Sequence, residues 1–543
     1  MRGVITENSQ LTRVEPYDLV AALLIAGLLG LALATFSHYA ISNDEEVQHR
    51  YGELIIAYYT SGFADKTLFE YKNLYLYGGL FDIIAVLLAK VLPFDIYSIR
   101  HVLCALIGVG GIAATWATAR LIGGARAGAL AAIVLALCGV WYGGMFNHTK
   151  DIPFGAAMMT GIFFLCRAAR DLPQPRWRDV LGFGLMLGAA LGLRAMGMLL
   201  VGYVGVAIML QLPQHMKNGV GEAARFATRS VVRFVPGFAL GYVIMIAAWP
   251  WAALDLFNPV RAIFSFAHFH YEIRTIVMDQ VYQMADAPRW YVPMYFLVKL
   301  PLITFLGALA AIWFVARGLR HGNPQATRHR DTAFILFVAL FPLACQVAAE
   351  GPAFTGLRHF LFLVPPLAVL TGLGLDELIT SFAFWHRRGP AVGLIALSIV
   401  FAWTASVLVR LHPYEYLFYS PMVGGLQGAD RRYEMDYWVN TMSEAVGGLK
   451  AYLDRTAGQS HRIYTVGVCG ERFAFERYAD GRLKWTPGWL EADFFIAPTH
   501  MDCDRLVEGK TILSIERFGV AIGVVKDRRG FVQRNLAHSP RNR

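Results

Sequence analysis

The apolar positions of this chain fall in blocks of about twenty residues parted by short polar stretches, the length that carries a helix across a bilayer. The blocks run over roughly 17–37, 98–122, 126–144, 153–169, 179–195, 197–212, 233–252, 293–316, 332–349, 360–381 and 390–410. Inside a membrane only helices and closed barrels satisfy every backbone polar group. The pattern therefore predicts an α-helical polytopic membrane protein with about eleven spans. A further block, Tyr75–Leu92, is apolar but carries Asp82 and Lys90, and is read as a juxtamembrane or half-inserted helix. The first block lacks the short apolar core and small-residue cleavage site of a signal peptide, so it is read as a retained helix. Gly184, Gly188 and Gly192 share one face of the block at 179–195, a spacing that lets a neighbouring helix approach closely.

Charge orients the bundle. Apolar residues make up 56% of the 543 positions and charged ones only 16%, yet the formal net charge is +10. With the N-terminus in the cytoplasm, Arg126, Arg167, Arg170, Arg176, Arg178, Lys217, Arg225, Arg229, Arg317, Arg320, Arg328, Arg330, Arg387 and Arg388 all lie in inside loops. That is the positive-inside distribution. It explains the net charge without nucleic acid, for which no motif is present. Outside segments hold Asp44, Glu45, Glu46, Glu53, Asp65, Glu70, Asp151, Asp255, Glu272, Asp279, Asp286 and Glu350. Counting 75–92 as a full span would invert every later loop. An odd number of spans puts the tail after Leu411 outside a plasma (inner) membrane.

The expected organisation is a membrane domain over 1–410, with a long first outside loop over 38–97 and a second over 255–292. Loops this long in a compact protein tend to be functional. After Arg410 the composition changes to that of a small α/β domain over 411–526. A helix is expected at 440–455 and strand-like runs at 462–468, 493–497 and 511–525. Residues 527–543 are polar, basic and patternless, and are expected to be disordered. Cys104, Cys138, Cys166 and Cys345 lie in apolar blocks and are expected to be small buried hydrophobes. Cys469 and Cys503 each follow a strand-like run in the outer domain, where thiols oxidise. If those strands are neighbours the two cysteines form a disulfide.

The strongest chemical signal is Asn43-Asp44-Glu45-Glu46 just after the first span. Acids on an outside loop are common, and alone this run is as readily a solvated loop as a site. Two observations shift that balance. Asn147-His148-Thr149-Lys150-Asp151-Ile152-Pro153 lies on the same membrane side, and Asp151 opens a span. An acid there is also an ordinary helix cap. Cations gather on that side too: Lys72, Arg194 at the end of a span, and Arg358 with His359 at the start of another. An Arg in or at the edge of a span is costly and usually has a partner or a task. Snorkelling or an ion pair accounts for any one of them, Lys72 above all. Together they suit a phosphate or pyrophosphate.

Asp44-Glu45 after the first span, Tyr75-Leu76-Tyr77-Gly78-Gly79-Leu80, Lys150-Asp151-Ile152-Pro153 and Gly356-Leu357-Arg358-His359-Phe360-Leu361 leading to Pro365 recur in this order in a known family. On these motifs the chain resembles the GT-C membrane glycosyltransferases that use polyprenyl-phosphate sugars, and most of all the protein O-mannosyltransferase and lipid A aminoarabinose transferase group. The run Tyr416–Trp438, with Gly424-Gly425 and Glu434-Met435-Asp436-Tyr437-Trp438, is similar to the segment after the last span in bacterial members. Two positions depart from the family pattern. Lys72-Asn73-Leu74 stands where Lys-Pro-Pro is usual, and Arg194 replaces a Lys near the end of the fifth span. The resemblance implies inverting transfer of a sugar from a polyprenyl-phosphate donor to a glycan, lipid or protein acceptor at the extracytoplasmic face. It implies Asp44 as the base, with Glu45 and Asp151 beside it, and Arg358, Arg194, Lys72 and His359 on the donor phosphate. Carboxylates at Glu45 and Asp151 suit a divalent metal, but no metal-specific spacing is present and the cofactor is left open. The competing class is a transporter or flippase of a lipid-linked solute. Transporters usually show inverted repeats and interrupted helices at the midplane; no internal repeat is visible here, and the polar residues cluster at one face. A catalytically dead relative that binds a partner is the third reading, and the intact Asp44 and Asp151 speak against it.

Overall fold

The structure is a computed structural model. It describes residues 14–267, 272–320, 326–351, 353–385, 387–456 and 462–531. Among these, eight helices are long and apolar enough to cross a membrane, and one further helix pair is apolar enough together but bent. The protein is thus a multi-pass membrane protein.

The chain begins with α1 (Pro16–Thr35), followed by α2 (Glu45–Thr60), α3 (Leu80–Val91), α4 (Ile96–Gly123), α5 (Ala125–Ala136) and α6 (Asp151–Arg170). Then come α7 (Trp177–Leu191), α8 (Leu199–Met209), α9 (Val220–Ala248), α10 (Tyr291–Lys299), α11 (Leu302–Arg320), α12 (Ala326–Ala349), α13 (Val364–Trp385) and α14 (Gly389–Leu411). The expected spans at 126–144, 179–195 and 293–316 are the ones that differ. The first stops at Ala136, and the second is the 15-residue α7. The third bends by 110° between α10 and α11. Pro301 follows Leu300 there, and a residue ahead of proline is pushed out of the helical region. The block at 75–92 forms only the 12-residue α3, too short to span.

Burial separates centre from rim. The helical stretch Arg358–Ala383 is 83% buried and α6 78%, whereas α1 and α14 are each 17% buried and turn their apolar side chains outward. The glycine face of α7 does what its spacing predicts. A Cβ on Gly184 would stand 2.3 Å from the Gly237 carbonyl of α9, and one on Gly188 would stand 2.9 Å from that of Gly241. α7 and α9 touch backbone to backbone at these points.

The two ends of the bundle differ in kind. At the C-terminal end of α6, Arg170 pairs with Asp331 at 3.1 Å and Arg167 with Asp179 at 3.0 Å. Arg120 pairs with Asp18 at 2.5 Å and Arg126 with Asp376 at 2.6 Å. Asp151 stands at the opposite end of α6, about 30 Å away for twenty residues at 1.5 Å each.

Over that second end lie a hairpin, β1 (Arg274–Val277) with β2 (Gln280–Gln283), and the C-terminal domain. The domain packs α15 (Met442–Thr456) on β3 (Tyr464–Val468), β4 (Leu483–Trp485), β5 (Phe494–Pro498), β6 (Lys510–Arg517) and β7 (Val520–Asp527), in the order β4-β3-β5-β7-β6. β3 runs parallel to both β4 and β5. That neighbourhood brings Cys469 and Cys503 together in a disulfide with Cα atoms 6.5 Å apart. The run read as a single strand at 511–525 is two strands joined at Phe518-Gly519, both with positive φ. Residues 527–531 are not a loose tail. The Arg528 guanidinium is buried and donates to the Glu508 carbonyl at 2.7 Å and the Ala492 carbonyl at 3.3 Å. The rest of the expected disordered tail, 532–543, lies outside the described residues.

Candidate functional site

Four charged residues from four separate elements form one chain of ion pairs at the second end of the bundle, where α6 begins. Asp44 precedes α2, and its Oδ2 accepts from Arg358 Nη2. Arg358 opens a 3-10 turn, Arg358–Leu363, and its Nε donates to Asp151 Oδ2 at 3.1 Å. Asp151 begins α6, and its Oδ1 accepts from Arg194 Nη2. The Asp44 side chain is 36% exposed and that of Asp151 only 2%. Asp44 is therefore the more accessible of the two carboxylates, while Asp151 pairs with two guanidiniums.

Glu45 points elsewhere. It is fully buried, takes the Ser42 N–H at 2.8 Å, and lies 3.2 Å from His101 and 3.7 Å from Arg100. Arg100 also reaches Asp82 at 2.9 Å and Thr149 at 3.0 Å. Buried charges persist when paired in this way, and this network fixes the first turn of α2 against α3 and α4. The structure thus places Glu45 in a buried network away from the Asp44 carboxylate. Glu45 and Asp151 hold different partners, Ser42 and His101 for Glu45 and the two arginines for Asp151, and no group of three or more metal-ligating side chains occurs among the described residues. Lys72 is exposed, with Glu46 as its neighbouring charge, and stands outside the ion-pair chain.

A second lysine, Lys150, is buried beside the ion-pair chain. Its Nζ lies 4.2 Å above the Tyr77 ring, and the Arg194 guanidinium lies 5.9 Å from the same ring. Burial pulls the Lys150 ammonium down to about 8, with nearby Asp82 and Asp44 opposing and Arg194 and Arg358 assisting. Burial likewise lowers His148 to about 4, so its imidazole is neutral at neutral pH.

Two cavities meet at this chain. One, of about 320 Å³, is lined by apolar groups including Met196, Leu199, Phe266, Phe341 and Phe360, and ends at Tyr77, Arg194 and His359. Cys345 also lines it and is exposed, contrary to the expected buried thiol; Cys104, Cys138 and Cys166 are buried. The other, of about 60 Å³, lies at Arg358 and is lined by His148, Lys299, Glu434, Tyr437 and Trp438. The Trp438 ring stacks 4.3 Å from the Arg358 guanidinium. Arg358 and His359, consecutive in sequence, thus serve different cavities. Lys150, Lys299, Glu434 and His500 were not assigned from sequence. Lys150 and Glu434 stood inside motifs already singled out, whereas Lys299 and His500 had no local signal.

The chain matches the sequence profile of the dolichyl-phosphate-mannose-protein mannosyltransferase family over residues 80–221. Sequence comparison with curated proteins finds no match. Among solved structures, ArnT from Cupriavidus metallidurans bound to undecaprenyl phosphate shares the fold with a TM-score of 0.51 and 13% identity, over 93% of this chain and 97% of that one. The apo form of the same protein gives a TM-score of 0.51 and 14% identity over the same shares. In fold, and over residues 80–221 in sequence, the chain resembles the GT-C membrane glycosyltransferases of the protein O-mannosyltransferase and ArnT group.

Proposed function

We propose that the protein is a polyprenyl-phosphate-dependent glycosyltransferase, moving a sugar with inversion from a lipid phosphate to a glycan, lipid or protein acceptor at the extracytoplasmic face. The observation that carries this reading is the continuity between the apolar cavity and the ion-pair chain. A groove lined by Leu199, Phe341 and Phe360 takes an isoprenoid chain, and it ends on Arg194 and His359. Arg194 is then three ion pairs from Asp44, through Asp151 and Arg358. ArnT, which shares the fold, has been solved with undecaprenyl phosphate bound.

The chemistry follows from these parts. A hydroxyl is a poor nucleophile, and Asp44 takes its proton as the glycosidic bond forms. The leaving lipid phosphate gains negative charge, which Arg194, Arg358 and Lys150 stabilise. A phosphate brought to the guanidiniums competes with the carboxylates for their N–H groups. Donor binding thereby frees Asp44 toward the acceptor. Asp151 keeps the two arginines aimed while this happens. The test is mass spectrometry of envelope glycans and glycolipids from cells with and without the protein. A sugar that disappears with the protein supports the reading; identical profiles oppose it.

A further inference from the structure

The Cys469–Cys503 disulfide joins two loops of the C-terminal domain, and each loop touches the neighbourhood of Asp44 and Arg358. On one side, Glu471, two residues after Cys469, donates its backbone N–H to Asn43 Oδ1 at 3.3 Å. Asn43 is the residue before Asp44, and its Nδ2 donates to the Tyr437 carbonyl at 3.4 Å. On the other side, Cys503 shares the 3-10 segment His500–Arg505 with His500. The His500 Nδ1 stands 3.2 Å from Glu434 Oε2, and its ring meets Tyr437 edge-on at 5.7 Å between centroids. Glu434 and Tyr437 line the cavity at Arg358. Arg431 holds the same segment from below through Asp502 and through Asp504 at 2.9 Å.

The contacts are too specific for a domain that merely rests on the bundle. Glu434 is itself pinned by the Thr275 hydroxyl at 2.6 Å, so His500 meets a carboxylate with little freedom. Tyr478, from the same domain, accepts the N–H of Ile41, three residues before Asp44, through its hydroxyl at 3.1 Å. The backbone from Ile41 to Asp44 is thus held by the outer domain rather than by the helices alone.

We propose that Asn43 and His500 are positioning residues, and that the disulfide clamps their two loops on either flank of the Asp44–Arg358 pair. The inference rests on the glycosyltransferase reading given above. Transfer is sensitive to such placement: a misplacement of about 1 Å far from the reacting atoms costs on the order of 10²-fold.

The experiment uses the full-length protein in cells, reading the initial rate of product appearance by mass spectrometry after induction, with each rate normalised to protein level. Undecaprenyl phosphate binding to each purified variant is measured by native mass spectrometry. Asn43→Ala and His500→Ala are each expected to lower the rate by on the order of 10–10²-fold while leaving undecaprenyl phosphate binding unchanged. His500→Asn, whose amide nitrogen reaches the place of Nδ1, is expected to recover most of the rate. Joint replacement of Cys469 and Cys503 by Ser is expected to lower the rate alone, but to add little to the Asn43→Ala/His500→Ala pair, because effects through one set of contacts do not add. Wild-type rates for both alanine variants, beside a silent Asp44→Asn control, would overturn the clamp and leave the function reading intact. Full additivity of the cysteine change would overturn it too, as would loss of undecaprenyl phosphate binding in the alanine variants. An active Asp44→Asn control would instead remove the function reading on which the clamp rests.

Discussion

Asp44 and Arg358, 314 residues apart in sequence, meet carboxylate to guanidinium at the end of the bundle covered by the C-terminal domain. The pair joins the loop after the first helix to the turn that opens the most buried of the candidate spans among the described residues. It also joins the exposed acid to the cavity residues, since Arg358 bonds Asp151 through its other edge. A guanidinium shared by two carboxylates can be handed to a phosphate without leaving a buried charge unpaired.

Arg358→Ala is expected to weaken use of the lipid-phosphate donor more than it weakens acceptor binding. The planar fork of the guanidinium fits phosphate oxygens, and no other residue bridges Asp44 and Asp151 among the described contacts. Separate titrations of donor and acceptor check this. An unchanged apparent donor affinity in a folded variant would make Arg358 a structural ion-pair partner only.

Lys150 sets a pH dependence. Burial holds its ammonium at about 8, so it is charged below that pH and neutral above it. A neutral Lys150 no longer stabilises the leaving phosphate, and kcat/KM is expected to fall as pH rises through about 8. A bound phosphate favours the ammonium and moves the limb of kcat to higher pH, since kcat reports the complex and kcat/KM the free enzyme. Lys150→Arg, charged throughout, is expected to lose the alkaline limb. An alkaline limb that persists unchanged in Lys150→Arg would assign it to another group.

Cys345 reports on the apolar cavity. It is exposed and lines the groove that ends at Arg194 and His359. A small membrane-permeant maleimide is expected to label it, and undecaprenyl phosphate is expected to slow the labelling. Labelling at the same rate with and without the lipid would place the lipid elsewhere.

Much of this architecture is legible in the chain because a bilayer imposes block lengths that local sequence must obey. The blocks at 17–37 and 390–410 are helices with lipid-facing sides, and the glycines of 179–195 pack as their spacing indicates. Where the reading departs, the cause is tertiary. Block length cannot show that Pro301 turns one expected span through 110°. Asp44, Asp151, Arg194 and Arg358 stand out because charge at a membrane edge needs a reason, and the fold brings them together. Glu45 shares the same local signal, yet the helical turn sends it to Arg100 and His101. Lys150 lies over the Tyr77 ring because distant segments pack there, a proximity that the local sequence does not announce. His500 reaches Glu434 only through the domain's own sheet, and nothing around position 500 announces it.

The central claim is that Asp44 is the base for transfer from a polyprenyl-phosphate sugar. The most direct measurement is transfer of a radiolabelled sugar from the polyprenyl-phosphate donor in proteoliposomes, comparing wild type with Asp44→Asn, whose fold is checked by size-exclusion profile. Removing the carboxylate is expected to lower turnover by about 10²–10⁴-fold, with donor still bound. Wild-type turnover by a monodisperse Asp44→Asn protein would contradict the account.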